Sequence, residues 1–489
     1  MKRKMGGASI DALALSFVRI VTIVISMVIY KMLAVYFSVE EYGTYASATL
    51  VATTATSLTI LGLTDAVNYF YAKDRDNPVG KVYVYTIFLI QLVVGFVSAV
   101  VIWLLKNQIA VYFDKPAVAG LIPGVAFIPV LTNLANMLQV LFVTAQKAKV
   151  IAVRNLFISI LKIASIAVIC LWLKDIKAVI ITTLVLDIGT VIYMLIYCKK
   201  NIFFVDIRKA KPSLSKEILR YSIPMAAYIL TNTLSKNIDK LVIGALGSAE
   251  MLGIYSIAAK ELPFDVLTTS FLTVLLPYIT GYVGRGDNEK AAELFSKYLC
   301  LTYTVTWIIA GGALACAEDL MLVLYDEKYI SGIGVFCLYI VVDMMKFANV
   351  SIIFSISDKG KELLKYSCGA LALNAVLNVV LFNVMGIIGP AISTVIITLG
   401  LSVVIMCRSA KLLGTKVNRI LQIKPMIFLL VQCGVCATIS LIVKHIINIE
   451  GMPLLNLVIT YAVYAIPLVL LNCKKIIALL KEINCAKIA

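Results

Sequence analysis

Across 489 residues, 61% are hydrophobic and only 15% charged, and the formal net charge is +17. Nothing of useful size is left over for a soluble domain, and the longest connector between apolar stretches, 199–220, has 22 residues, which excludes a large extramembrane catalytic module. The cations are divided among many short turns, which speaks for membrane topology and anionic lipid headgroups and against nucleic-acid binding.

Fourteen apolar stretches of roughly 20 residues or more, the length a helix needs to cross about 30 Å of hydrocarbon, follow one another closely. They fall near 10–36, 43–71, 82–105, 117–145, 150–173, 177–198, 218–246, 250–282, 292–316, 329–354, 362–384, 387–410, 425–446 and 453–472. In lipid a spanning segment must satisfy its own backbone hydrogen bonds, so helices are the expected form. The chain therefore reads as an all-α polytopic membrane protein. The start, Met1–Ile10, carries Lys2, Arg3 and Lys4 without a small-residue cleavage site, so the first span is expected to insert and stay.

Of the 44 Lys and Arg, 31 lie in or next to the eight segments on one side, and six lie in the seven loops on the other. That bias places both termini in the cytoplasm. Charges also lie inside the spans, where each costs about 2.5–3.5 kcal/mol on insertion scales. Span one has Arg19 and Lys31, span two Asp65, span five Lys162 and span six Asp187. Span seven has Lys236, Asp239 and Lys240, span eight Lys260, Glu261 and Asp265, and span ten Asp343 and Lys346. Lys31 and Lys240 are close enough to the interface to snorkel. Asp65 suits a helix end, and Lys162 and Asp187, at similar depth in consecutive helices, can neutralise each other as a charge pair. Arg19, Lys236, Lys260 and Lys346 lie deeper. They are expected to line a water-filled, mixed-charge cavity and to bind a phosphate or pyrophosphate group. Asp239, Glu261, Asp265, Asp343 and Asp65 are the acids expected to solvate that cavity or to carry a coupling H⁺ or Na⁺. Pro123 and Pro129 are expected to interrupt span four and Pro263 and Pro277 span eight, while Pro224 begins span seven.

The chain repeats itself. Glu41-Tyr42-Gly43-Thr44-Tyr45 opens span two, and Glu250-Met251-Leu252-Gly253-Ile254-Tyr255 opens span eight about 210 residues later. Lys162 maps onto Asn374 at a similar offset. Six spans separate corresponding elements, an even number, so the halves cross in the same sense: a parallel repeat with a site between the lobes. The expected organisation is an N-terminal lobe over 1–198, a cytoplasmic interfacial connector over 199–220, a C-terminal lobe over 221–411, and two further helices with an amphipathic tail over 412–489. The connector, with Phe203, Phe204 and Val205 ahead of Lys209, Lys211, Lys216 and Arg220, suits an interfacial helix.

Signals for chemistry are absent. There is no Gly-rich nucleotide loop ending in Lys-Ser/Thr and no HExxH, so neither an ATPase nor a metalloenzyme is expected. The eleven cysteines, an odd number, make no disulfide framework. Cys433 and Cys436 have the spacing of a redox or metal pair but lie in a span without partners, where cysteine behaves as a small hydrophobe. His445, the single histidine, builds no metal site alone.

The chain resembles the polysaccharide-transporter branch of the multidrug/oligosaccharidyl-lipid/polysaccharide (MOP) flippase superfamily, the Wzx-type O-antigen flippases. The resemblance is carried by Glu41–Tyr45 with Leu61-Gly62-Leu63, by the run Lys236–Gly244, by Gly253–Ala258 with Leu276-Pro277, and by Leu373-Asn374, Leu377-Asn378 and Gly386–Thr394. It covers the whole chain. It implies two six-helix lobes plus two C-terminal helices in an alternating-access transporter of the bacterial inner membrane. The implied cargo is an undecaprenyl-pyrophosphate-linked oligosaccharide moved from the inner to the outer leaflet for surface polysaccharide synthesis. Arg19 occupies the first-helix position where such flippases often place an arginine, and Asp239 matches the acid of helix seven. The resemblance also implies no cofactor beyond a coupling cation. The expected partners are the lipid-linked sugar, anionic phospholipids and envelope polysaccharide polymerase machinery around a monomer. Three other readings stay open: a lipid II (peptidoglycan precursor) flippase, a multidrug cation antiporter, and a non-transporting scaffold for envelope glycosyltransferases.

Overall fold

The computed structural model describes residues 2–73, 78–347, 351–447, 449 and 451–485, with side-chain surroundings for all of these except 2–17, 148, 265–270, 273–274 and 483–485. Among the described residues every regular element is a helix. Twelve helical segments are long and apolar enough to cross a membrane, and the protein is a multi-pass membrane protein. The two predicted spans outside that set, 218–246 and 250–282, both break into shorter helices. By contacts the chain divides into two compact units, 1–256 and 257–489.

The first unit contains α1 (Lys2–Tyr36), α2 (Val39–Thr59), α3 (Leu63–Lys73), α4 (Pro78–Leu104), α5 (Lys106–Tyr112), α6 (Pro116–Val125), α7 (Ile128–Thr144), α8 (Ala148–Val168), α9 (Ile176–Asn201), α10 (Ser215–Ser235), α11 (Ile238–Leu246) and most of α12 (Ala249–Ala258). Ser38 starts α2 with a capping box: its hydroxyl accepts from the Glu41 N–H while the Glu41 carboxylate accepts from the Ser38 N–H. Predicted span two breaks at Leu61 and Gly62, both at positive φ. A β-carbon on Gly62 would strike the Ser222 carbonyl of α10, so glycine there is required by both backbone and packing. The break is supported from α7, where Asn133 Nδ2 donates to the Thr56 carbonyl and the Thr59 hydroxyl at 3.1 and 3.0 Å. Span four likewise breaks between α6 and α7, next to Pro129, as the prolines predict.

The connector corrects one expectation. Residues 202–214 form no continuous helix but an extended strap with two 3-10 turns, Ile207–Lys209 and Pro212–Leu214. Asp206 takes the Arg208 N–H onto its own carboxylate and Pro212 has no N–H to give, so no helical ladder runs through. The Lys211 N–H docks on Thr86 Oγ1 of α4 at 3.0 Å.

The second unit contains the end of α12, then α13 (Asp265–Gly284), α14 (Asn288–Ala315), α15 (Ala317–Leu324), α16 (Ile333–Met345), α17 (Ile352–Ile356), α18 (Gly360–Met385), α19 (Ile388–Leu412), α20 (Val417–Leu421), α21 (Ile423–Ile447) and α22 (Pro453–Cys485). Helix α14 is its core, buried on nearly every side by α13, α16, α21 and α22. Gly311 and Gly312 make a notch in α14 that receives Tyr464 and Tyr461 of α22. The Tyr464 hydroxyl donates to the Trp307 carbonyl at 3.1 Å. Cys433 and Cys436 are buried in the same apolar cluster as Tyr303, Trp307 and Tyr464. The predicted amphipathic tail continues α22 as one helix to Cys485.

Candidate functional site

In the first unit, Arg19 is an exposed residue of α1 and Asp65 lies half-buried in the first turn of α3, just past the Leu61–Gly62 break. Lys162 and Asp187 are half-buried on α8 and α9, near enough for the lysine charge to act on the carboxylate. Lys236 is exposed at the C-cap of α10, where the helix stops and α11 restarts from Asn237. The break leaves the first N–H groups of α11 without helical acceptors. Asp239 meets part of that need, accepting the Lys240 N–H at 2.7 Å. Its other oxygen accepts the Tyr255 hydroxyl at 2.8 Å, with Asp239 2% exposed and Tyr255 fully buried. Asp239 thus ties α11 to α12, and Lys236 stands at the break beside it.

In the second unit, residues 259–264 separate α12 from α13 and hold Lys260 and Glu261. Asp343 of α16, 7% exposed, accepts the Leu262 N–H at 2.9 Å. Lys346, the C-cap of α16, reaches Glu261 Oε1 at 2.6 Å. Trp307 Nε1 of α14 donates to the Met344 carbonyl at 2.9 Å and fixes that end of α16. The structure therefore gathers Glu261, Asp343 and Lys346 around one broken helix, with half-buried Lys260 in the break itself. Asp265 begins α13, but its side chain lies outside the described residues.

One polar feature was visible in sequence only as part of a motif. Asn374 and Asn378, one turn apart on α18, are both buried, and Asn374 Oδ1 accepts the Ser393 hydroxyl of α19 at 2.8 Å. Both amide atoms of Asn378 are buried without a hydrogen-bond partner, a cost that a water or an ion of low charge would relieve. Two asparagines at i, i+4 in an apolar helix are the only sequence signal for it. No group of three or more His, Cys, Asp or Glu among the described residues is placed to hold a metal.

Lys236, Lys260 and Lys346 all stand where a helix stops or breaks. The fold matches those of solved membrane transporters. It matches the lipid II flippase MurJ in an inward closed conformation with a TM-score of 0.75 at 14% identity, over 95% of this chain and 100% of that one. An inward-facing multidrug MATE-family transporter of the MOP superfamily gives a TM-score of 0.63 at 12% identity, over 80% and 96%. At these identities the likeness is one of fold alone. Within that class, a family model described as polysaccharide biosynthesis protein matches residues 32–333, well over half of the chain, and the chain belongs to that family. A teichuronic acid biosynthesis protein of Bacillus subtilis (strain 168), TuaB, is 19% identical over 264 residues, 53% of this chain and 54% of that protein. The match thus spans about half the length of that relative. A membrane protein of Methanocaldococcus jannaschii is 23% identical over 387 residues, 75% of this chain and 89% of its own.

Proposed function

We propose that the protein is a flippase that moves a polyprenyl-pyrophosphate-linked oligosaccharide, with undecaprenyl as the polyprenyl, from the inner to the outer leaflet of a bacterial cytoplasmic membrane by alternating access, for surface polysaccharide synthesis. The family supports a lipid-linked sugar cargo, and the fold supports a transporter rather than an enzyme. The observation that carries the reading is that Lys236, Lys260 and Lys346 all fall where a spanning helix stops or breaks. Arg19, Lys236, Lys260 and Lys346 are the groups proposed to engage the pyrophosphate during the cycle. The acids Asp65, Asp239, Glu261, Asp265 and Asp343 would keep those cations solvated or paired between turnovers, and a H⁺ or Na⁺ gradient would drive return. The positive-inside bias supports cytoplasmic termini. The protein is proposed to act as a monomer that hands its product to polymerase machinery outside.

The test is export in cells and flipping in vesicles. Arg19→Gln and Lys236→Gln should each abolish glycan export at unchanged protein level, and full export by both would overturn the assignment. Purified protein in vesicles is then offered labelled lipid-linked oligosaccharide, labelled lipid II or a cationic dye. Movement of lipid II alone points to a peptidoglycan-precursor flippase, movement of the dye alone to a drug antiporter, and movement of none to a scaffold.

A further inference from the structure

The first unit carries an apolar crevice lined by none of the residues proposed to engage the cargo. It has a volume of ≈ 110 Å³ and is lined by Phe88 of α4, Leu134 and Leu138 of α7, Val191 of α9, and Val205 and Ile207 of the connector. Phe88, Leu134 and Val191 each lie ten residues from the connector-side end of their helix, Pro78, Thr144 and Asn201. At about 1.5 Å per residue that is roughly 15 Å, half the thickness of a bilayer core. The crevice lining therefore extends from the connector along these helices over a length of about half a bilayer core. Its mouth is built: the connector is pinned across α4 by the Lys211–Thr86 hydrogen bond and turned back on α9 by the Phe203 N–H bonding to the Cys198 carbonyl at 2.9 Å.

The connector that supplies Val205 and Ile207 to the crevice is cationic. Lys199, Lys200, Arg208, Lys209 and Lys211 are all exposed along the connector, and Asp206 is the only acid among residues 199–211. Asp206 is engaged by the Arg208 N–H at 3.2 Å and by Lys209 Nζ at 3.7 Å, while the Lys209 side chain remains 70% exposed. Lys199 Nζ sits 5.4 Å from the Phe204 ring, and that ring is itself exposed.

We infer that this crevice is a binding site for one anionic phospholipid of the leaflet on the connector side, with a stretch of acyl chain between α4, α7 and α9 and its phosphate on Arg208 and Lys209. Apolar depth alone would accept any lipid tail. The excess of cations at the mouth selects a net-negative headgroup over a zwitterionic one. The inference does not depend on the proposed cargo, because none of the cations proposed to hold pyrophosphate takes part.

The test is native mass spectrometry of the full-length protein released from nanodiscs of equal phosphatidylglycerol and phosphatidylcholine. At least fivefold enrichment of phosphatidylglycerol among retained lipids is expected. The Arg208→Ala/Lys209→Ala variant should bring the ratio to parity, and Val205→Trp, which fills the mouth, should lower retention by one lipid. If Val205→Trp does not fold, Leu195→Trp blocks the same opening from an exposed position on α9. Equal retention of the two lipids by the wild type, or unchanged enrichment in the double variant, overturns the site. So does displacement of phosphatidylglycerol by an equal concentration of undecaprenyl phosphate, which would assign the crevice to a polyprenyl tail.

Discussion

Gly43 of α2 and Gly253 of α12 pack against each other in a reciprocal contact. A β-carbon on Gly43 would enter the Ala249 carbonyl, and one on Gly253 would enter the Val39 carbonyl. Residues 39 and 249 are separated by the same 210 positions as residues 43 and 253, so the contact has a local pseudo-twofold axis that relates the repeated motifs. Two helices reach backbone distance only where neither carries a side chain.

Filling that contact should force α2 and α12 apart. Gly43→Val is expected to lower the melting temperature in detergent well beyond a Gly→Val change at Gly189, where a β-carbon meets nothing within 4 Å. Equal effects at the two positions would show that the crossing tolerates a side chain.

The carboxylate of Asp343 holds the break before α13 through the Leu262 N–H. Removing it in Asp343→Ala leaves a buried donor unmet, at a cost of about 1–3 kcal/mol. Asp343→Asn keeps an acceptor oxygen and should recover most of the loss. Chemical unfolding of the two variants in the same detergent measures the difference.

Lys115 precedes α6, outside the spanning segments, and is 6% exposed, with Nζ 3.4 Å from Ser47 Oγ and 5.9 Å from the Phe113 ring centroid. Burial pushes its ammonium down to about 8, opposed in part by Asp114. The unfolded chain holds that proton to higher pH than the folded protein does. Stability therefore rises with pH from about 8 toward the ordinary lysine value, and below about 8 the full penalty for the buried charge is present. Lys115→Met should be more stable than the wild type at pH 7, and the gap should narrow as pH rises toward 10. A gap that does not change with pH would show that Lys115 loses no proton in that range.

Lys444 of α21 lies 2.7 Å from Asp319 and 3.1 Å from Glu318 at the start of α15, and the Asp319 side chain is only 6% exposed. Lys444→Met leaves that carboxylate buried without its cation, a loss of about 3–5 kcal/mol. Adding Asp319→Asn should restore much of it. If the double variant melts no higher than the single one, the lysine acts through packing instead.

The α class, the positions of the spans and the parallel repeat are legible in the sequence because lipid makes the backbone satisfy itself locally. A long apolar run becomes helical there, whole or broken, and the offset between Gly43 and Gly253 registers the repeat. Pro129 and Pro263 stand at breaks, as expected, whereas Pro123 and Pro277, expected to interrupt as well, lie inside continuous helices. The Leu61–Gly62 and Lys236–Asn237 breaks depend on which distant group supplies the missing hydrogen bond or the missing space. Only the tertiary structure pairs Asn133 with Thr56 and Thr59, Asp343 with the Leu262 N–H, and Glu261 with Lys346. Each of these contacts joins residues 74 to 85 positions apart, and a depth count along one helix carries no information about which face its neighbour presents. The connector's aromatic and basic residues read as an interfacial helix, and the structure has a strap in its place. The Lys211–Thr86 bond and the local demand of Asp206 for a backbone donor decided for the strap.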